Sequence, residues 1–191
     1  LSFSSVSSDY VLLATTTVSS SVGSVSFDGY FSSTYRNYEI KYDGIRGTNT
    51  SATYWGIWGR VRRSNSDVTT SNYVVLGGGS DFYGGTNNFY SGAQNNSNYI
   101  EMNKANYGVN GNTSSPYSFN GTMKIYNPLS TDVYKLIEYT VGLSYYNVAP
   151  YWLYTNSAAM LTDATTAISG FTFYYSTGNI GSGTFKLYGI K

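Results

Sequence analysis

The sequence predicts an all-β fold, an antiparallel β-sandwich of jelly-roll-like type with long Gly/Asn/Tyr-rich loops, and three observations carry that expectation. Runs of β-branched and aromatic residues alternate with Gly, Asn, Asp and Ser turn pairs along the whole chain, the pattern of many short strands. Inside the runs, apolar and polar residues alternate with the period of 2 that a half-buried strand needs. Aromatic residues make up 18% of the chain, among them 22 tyrosines, whereas charged residues reach only 11%. Tyr offers an apolar ring to a core and a hydroxyl to water. Such a composition suits half-exposed sheet faces and interfaces, and it argues against disorder.

Taken in order, the first strands are expected at 10–18 and 25–27, the second closed by Asp28-Gly29. Tyr38, Ile40 and Tyr42 alternate with Glu39, Lys41 and Asp43, and Asp43-Gly44 is read as the end of that strand. Trp55, Ile57, Gly59 and Val61 share one face of the next, with Tyr54, Trp58, Arg60 and Arg62 on the other. Residues 77–117 read as long surface loops punctuated by Gly77-Gly78-Gly79, Gly84-Gly85, Asn87-Asn88 and Asn95-Asn96, with short strands at 73–76 and 99–102. Loops of that length in a compact domain are functional or assembly elements. Asn120-Gly121 reads as a hairpin turn into a strand over 122–126, which Asn127-Pro128 ends. The longest run, 133–146, carries Val133, Ile137, Tyr139, Val141, Leu143 and Tyr145 on one parity, with Gly142 as a candidate bulge. Strands at 151–154, 168–175 and 184–190 complete the set, and 158–166 is a short helix-like piece. About ten strands in 191 residues fit one sandwich domain over 1–191, with the 77–117 loop region inside it.

Charge and composition remove several function classes. The net charge is +1, from 11 basic and 10 acidic residues, so no electrostatic footprint for nucleic acid or an anionic membrane is present. With no Cys and no His, disulfides, thiolate or imidazole metal sites and Ser-His nucleophilic triads have no residues to build them. Gly77-Gly78-Gly79 is not followed by the Lys-Ser/Thr of a phosphate loop, and Gly181-Ser182-Gly183 lacks the last glycine of a dinucleotide fingerprint. The seven Asp are scattered rather than spaced as a calcium loop. No cofactor and no metal are expected. No signal peptide and no apolar run long enough to cross a bilayer occur, and a start at Leu1 rather than Met leads us to expect the true start upstream.

One enzyme class needs only what this chain has. Glycosidases work with two carboxylates across a groove, and Glu39, Glu101 and Glu138 are the three glutamates. Small jelly-roll xylanases share the length and composition, but the sequences around these glutamates do not match theirs. The plainer reading is exposed strand carboxylates paired with Lys41 or Lys135. For binding, Trp58, Tyr151 and Trp152, with Trp55, are candidates for a platform on which sugar rings stack; core packing for Trp55 and an oligomer interface for the others is the alternative. Tyr83, Tyr90, Tyr99 and Tyr107 are candidate contact residues of the 77–117 loops, where aromatic area combines with adaptable hydrogen bonding. Arg60, Arg62 and Arg63 either grip an acidic group or form a solvated strand face or pair across an interface. Asn49, Asn95, Asn112 and Asn120 match a glycosylation pattern that arises by chance in a chain so rich in Asn, Ser and Thr.

Four stretches carry a resemblance: 28–38 (DGYFSSTYRNY), 63–73 (RSNSDVTTSNY), 118–128 (SFNGTMKIYNP) followed by 134–137 (YKLI), and the closing 176–190 (STGNIGSGTFKLYGI). Together the chain resembles a family of virion structural proteins of tailed bacteriophages, of the kind found in aquatic and cyanobacterial phages. The likeness is weakest over 77–117. It implies a non-enzymatic structural component of the virion, with no catalytic residues to carry over, and leaves head or tail open. The Gly/Asn/Tyr-rich loops over 77–117 make a surface module of tail or tail-fibre type with host-glycan adhesion the first expectation, and a capsid decoration protein that stabilises the head the alternative. A jelly-roll glycosidase is the remote alternative. The implied partners are like chains, a trimer foremost, other virion proteins of the tail or capsid, and a host surface glycan, with no nucleic acid and no membrane insertion. Assembly in a reducing bacterial cytoplasm would suit a chain without Cys.

Overall fold

The period-2 alternation is realised as thirteen strands among the residues that this computed structural model describes, 9–48, 56–102, 118–146, 150–163 and 165–191. In chain order they are β1 (Tyr10–Val18), β2 (Ser24–Asp28), β3 (Asn37–Gly47), β4 (Ile57–Arg63), β5 (Ser66–Asp67), β6 (Tyr73–Tyr83), β7 (Thr86–Ser97), β8 (Ile100–Glu101), β9 (Phe119–Tyr126), β10 (Lys135–Tyr146), β11 (Pro150–Leu161), β12 (Gly170–Tyr175) and β13 (Ile180–Ile190). No helix occurs among the described residues. Eight strands form one sheet in the order β1-β13-β3-β9-β10-β11-β6-β7, and five form a second, β2-β12-β4-β5 with β8 also on β4. Every pairing between strands is antiparallel. A jelly roll distributes eight strands over two Greek keys. Here the split is eight and five, so the architecture is that of an antiparallel two-sheet sandwich.

The core lies between the sheets. The large sheet contributes Tyr38, Ile40, Tyr42, Met123, Ile125, Ile137, Tyr139, Phe185 and Leu187, and the small one Val25, Phe27, Ile57, Val61, Phe171 and Phe173, all buried. Aromatic contacts join the layers: Phe173 meets Tyr42 at 5.8 Å and Phe185 at 5.0 Å between ring centroids. Each such pair adds about 0.5–1.5 kcal/mol to what the buried area supplies. Two glycines make room for this packing. A Cβ at Gly59 would fall on the Phe171 ring, and one at Gly121 would fall on the Thr140 carbonyl oxygen and the Tyr42 ring.

Several sequence expectations are corrected here. Residues 77–97 are not loops: β6 runs on to Tyr83, and β7 returns beside it after the two-residue turn Gly84-Gly85, whose φ values of 56° and 90° are those of a tight hairpin. Gly77-Gly78-Gly79 lie within β6, where β11 approaches so closely that Ser157 occupies the place a side chain at Gly77 would need and the Tyr154 carbonyl the place of one at Gly79. Residues 103–117 of the expected loop region lie outside the described residues. The helix-like piece at 158–166 is wrong as well, since 158–161 end β11 with β10 on one side and β6 on the other. Pairing on both flanks overrides the helical preference of Ala158 and Ala159. Asn120-Gly121 is strand rather than turn, because Gly121 is needed under Tyr42. Asp43-Gly44 does not end β3 but forms a bulge in it, with Gly44 at φ 63°, and no register shift occurs at Gly142. Lys135 is not an exposed partner of Glu138. It lies on the buried parity of β10, and its Nζ donates to the carbonyls of Ser130 (2.6 Å), Val133 (2.8 Å) and Thr165 (2.8 Å).

Candidate functional site

The large sheet turns its second face to solvent, and its register sorts that face into rows. One row reads Asn120, Gly142, Tyr154, Ser80 and Phe89 across β9, β10, β11, β6 and β7. The next reads Trp152, Phe82 and Asn87 across β11, β6 and β7. Four aromatic residues therefore stand together where Leu153, of opposite parity, is buried. Phe89 is 85% exposed, Trp152 65%, Tyr154 55% and Phe82 40%. Single exposed apolar residues are ordinary, and it is their grouping that makes these four a candidate contact surface. Between Asn120 and Tyr154 the row is interrupted by Gly142, which has no side chain, and the result is a depression of about 630 Å³. That is within the range of small-ligand sites.

The polar groups of the depression are amides and hydroxyls. Asn120 is held in place: its Oδ1 accepts from the Gly44 N–H at 2.8 Å and its Nδ2 donates to Ser118 Oγ at 3.2 Å. The one carboxylate of the lining, Asp81, is buried and accepts from Asn88 Nδ2 at 2.8 Å. Among the described residues no lysine or arginine lines it. Such an arrangement can stack ring faces and form neutral hydrogen bonds.

A second aromatic group sits on the outer face of the small sheet. Trp58 stacks on Tyr99 at 3.8 Å with 12° between the ring planes, and Tyr174 meets Trp58 edge-on at 6.0 Å. The Arg60 guanidinium lies 4.7 Å over the Tyr174 ring while its Nε donates to the Asn98 carbonyl at 2.9 Å. These rings are largely engaged with one another, and burial pushes the Tyr174 hydroxyl up to about 12. The other two arginines are also occupied within the molecule. Arg62 donates to Asp28 (2.6 Å), Asp67, Thr172 and the Asn65 carbonyl, and Arg63 pairs with Asp163 at 2.8 Å. Burial works to raise the Asp28 carboxyl, but Arg62, Ser169 and the Gly29 N–H outweigh it and hold it below the usual range.

The glutamates are spread over both sheets. Glu39 and Glu138 share the outer face of the large sheet in the row Tyr188, Glu39, Lys124, Glu138, with Lys124 on the strand between them. Glu39 is paired with Lys41 at 3.6 Å and accepts from Tyr10 OH at 3.3 Å, but it is buried rather than the exposed carboxylate expected, because Lys41 and Tyr10 cover it; Glu138 accepts from Tyr126 OH at 2.7 Å. Glu101 belongs to β8 in the other sheet, opposite Trp58. The two outer-face carboxylates thus lie side by side along a sheet rather than on opposite walls of a cleft.

Of the residues singled out in the sequence, Trp152 belongs to the exposed aromatic group, and Trp58 and Tyr99 form a stack of their own. Tyr83 ends β6, Tyr90 lies in β7 opposite Gly79, and Tyr151 lies in β11 opposite Tyr83; their side chains lie outside the described residues, as do Tyr107 and Trp55 altogether. Sequence reasoning missed Phe82, Phe89 and Tyr154. The signal for Tyr154 was its spacing of two from Trp152; Phe82 and Phe89 were hidden by reading their strands as loops. No protein family, curated protein or solved structure matches this chain.

Proposed function

We propose that this chain is a non-enzymatic structural protein on the surface of a tailed-phage particle, a tail or tail-fibre type module that touches host glycan. The exposed four-ring group on the outer face of the large sheet carries the adhesion reading, and the resemblance of the four sequence stretches supports the virion. Low charge and abundant Tyr fit assembly with like chains, a trimer foremost, because interfaces favour Tyr, Trp and Arg over Lys and Glu. Labelling this chain on whole particles and locating the label by electron microscopy tests the reading. Label on the tail is the expected result, and particles without label would end it.

A capsid decoration protein is the second reading, and one observation favours it. Leu136 and Met160 are paired neighbours on the same outer face, with Leu76 one row along, all exposed. That apolar footing suits a fixed docking surface on a capsid lattice. In this case the label falls on the head, and added protein raises the heat resistance of emptied capsids.

A further inference from the structure

We propose that the depression at Gly142 is a subsite for a neutral glycan chain, an inference that rests on the adhesion reading and names its ligand chemistry. The rings come first. Trp152 and Tyr154 are two residues apart on β11, about 7 Å along the strand, and Phe89 stands across Ser80 in the Tyr154 row, about 10 Å away over two strand spacings. Pyranose rings present flat C–H faces, and successive sugars in a chain can lie on rings laid out in this way. The floor comes second. With Gly142 between Asn120 and Tyr154, backbone is open to a ligand at the centre of the row, and the site is concave rather than flat. Concavity favours a narrow ligand over a broad protein face.

Charge decides the class of glycan. Among the described residues no cationic side chain lines the site, so uronates, sialates or phosphates find no counter-charge there. Asp81 is buried and already bound by Asn88, so it offers little to a cationic sugar. What remains are Ser80, Asn87 and Tyr154, which make no side-chain hydrogen bond among the described residues, and Asn120, whose amide is held by Gly44 and Ser118. Amides and hydroxyls beside aromatic faces match the hydroxyls of a neutral hexose chain.

Two substitutions separate binding from folding. Trp152→Ala removes an exposed ring. Gly142→Leu fills the floor, and the fold should tolerate it, because a Cβ there meets nothing nearer than the Asn120 carbonyl at 3.8 Å. The experiment is calorimetric titration of the purified chain with neutral gluco-, galacto- and manno-hexaoses and with anionic oligogalacturonate. At least one neutral hexaose should bind, oligogalacturonate should not, and each variant should weaken binding by about tenfold or more with no drop in melting temperature. The inference is overturned if no neutral hexaose binds, if both variants bind like the parent, or if oligogalacturonate binds equally well. Loss of oligomer or particle association in Trp152→Ala, without sugar binding in the parent, would instead make the patch a protein interface. Label on the particle without sugar binding sinks this inference and leaves the virion reading standing. Sugar binding by a chain absent from particles supports it and ends the other.

Discussion

Tyr42 reaches across the strand beside it, and that crossing restricts what residue 121 can be. Its ring covers Gly121 of β9, and its hydroxyl donates to the Thr140 carbonyl on β10. Gly121→Ala would drive a methyl group into backbone that cannot move without disturbing two strands. We expect a loss of about 2–4 kcal/mol in urea unfolding, at the upper end of overpacking costs. Tyr42→Phe keeps the ring and drops the hydrogen bond, so its cost should be nearer 1 kcal/mol; equal losses from the two would argue against the crossing. Lys135 makes a different kind of case. Its ammonium is fully buried among three carbonyls, and burial, joined by the charge of Arg63, pulls it below the usual lysine range. Lys135→Met keeps the stem and leaves those carbonyls unmet, which should cost about 3 kcal/mol. The parity of the run over 135–143 marks residue 135 as inward, yet Lys is so seldom buried that composition outweighed pattern.

At the scale of elements, the small sheet is tied together by one side chain. Arg62 on β4 bonds Asp28 at the end of β2, Thr172 on β12 and Asp67 on β5, with only 17% of the Arg62 and Asp28 side chains exposed. Arg62→Ala would leave two carboxylates half-buried without their cation, and a loss of about 3 kcal/mol is expected. The pH dependence follows from Asp28. Its folded pKa is lowered, so its contribution is present above the unfolded value of about 3.9 and fades as pH falls through the folded value. The stability advantage of the parent over Asp28→Asn should therefore be constant near neutrality and vanish in acid. An advantage that persists to pH 2 would mean that the contact is not electrostatic. Elements of this kind were legible where sequence and pairing agree, as on β4, where Ile57 and Val61 face in and Trp58, Arg60 and Arg62 face out. They were illegible where glycine serves packing. Gly77 and Gly79 of β6 read as breaks because their cause, the approach of β11, lies some eighty residues away. The aromatic rows failed to show for the same reason, since a row exists only once the register of five strands is known.

For the whole molecule, tyrosine sets the alkaline limit. Tyr42, Tyr73, Tyr139, Tyr174 and Tyr175 are raised chiefly by burial, and Tyr126 is pushed up to about 12 by its bond to Glu138. A raised folded pKa means that the folded state keeps a proton which the unfolded chain releases near pH 10. The stability these six groups confer is complete below about pH 10 and is lost as pH climbs toward their folded values. Lys135 acts in the opposite sense, gaining as it neutralises, but it is one group against six. The fold should hold to about pH 10 and then unfold steeply by about pH 12, with the buried tyrosines ionising only as it opens. Absorbance at 295 nm and far-UV circular dichroism, followed together during a base titration, give the check. Exposed tyrosines should titrate first with the β signal unchanged, and a second, steeper rise in absorbance should coincide with loss of that signal. If all the tyrosines titrate in one smooth curve near pH 10 while the β signal persists, the hydroxyls of Tyr42, Tyr139 and Tyr175 are not sealed between the sheets, and the sandwich is looser than its packing implies.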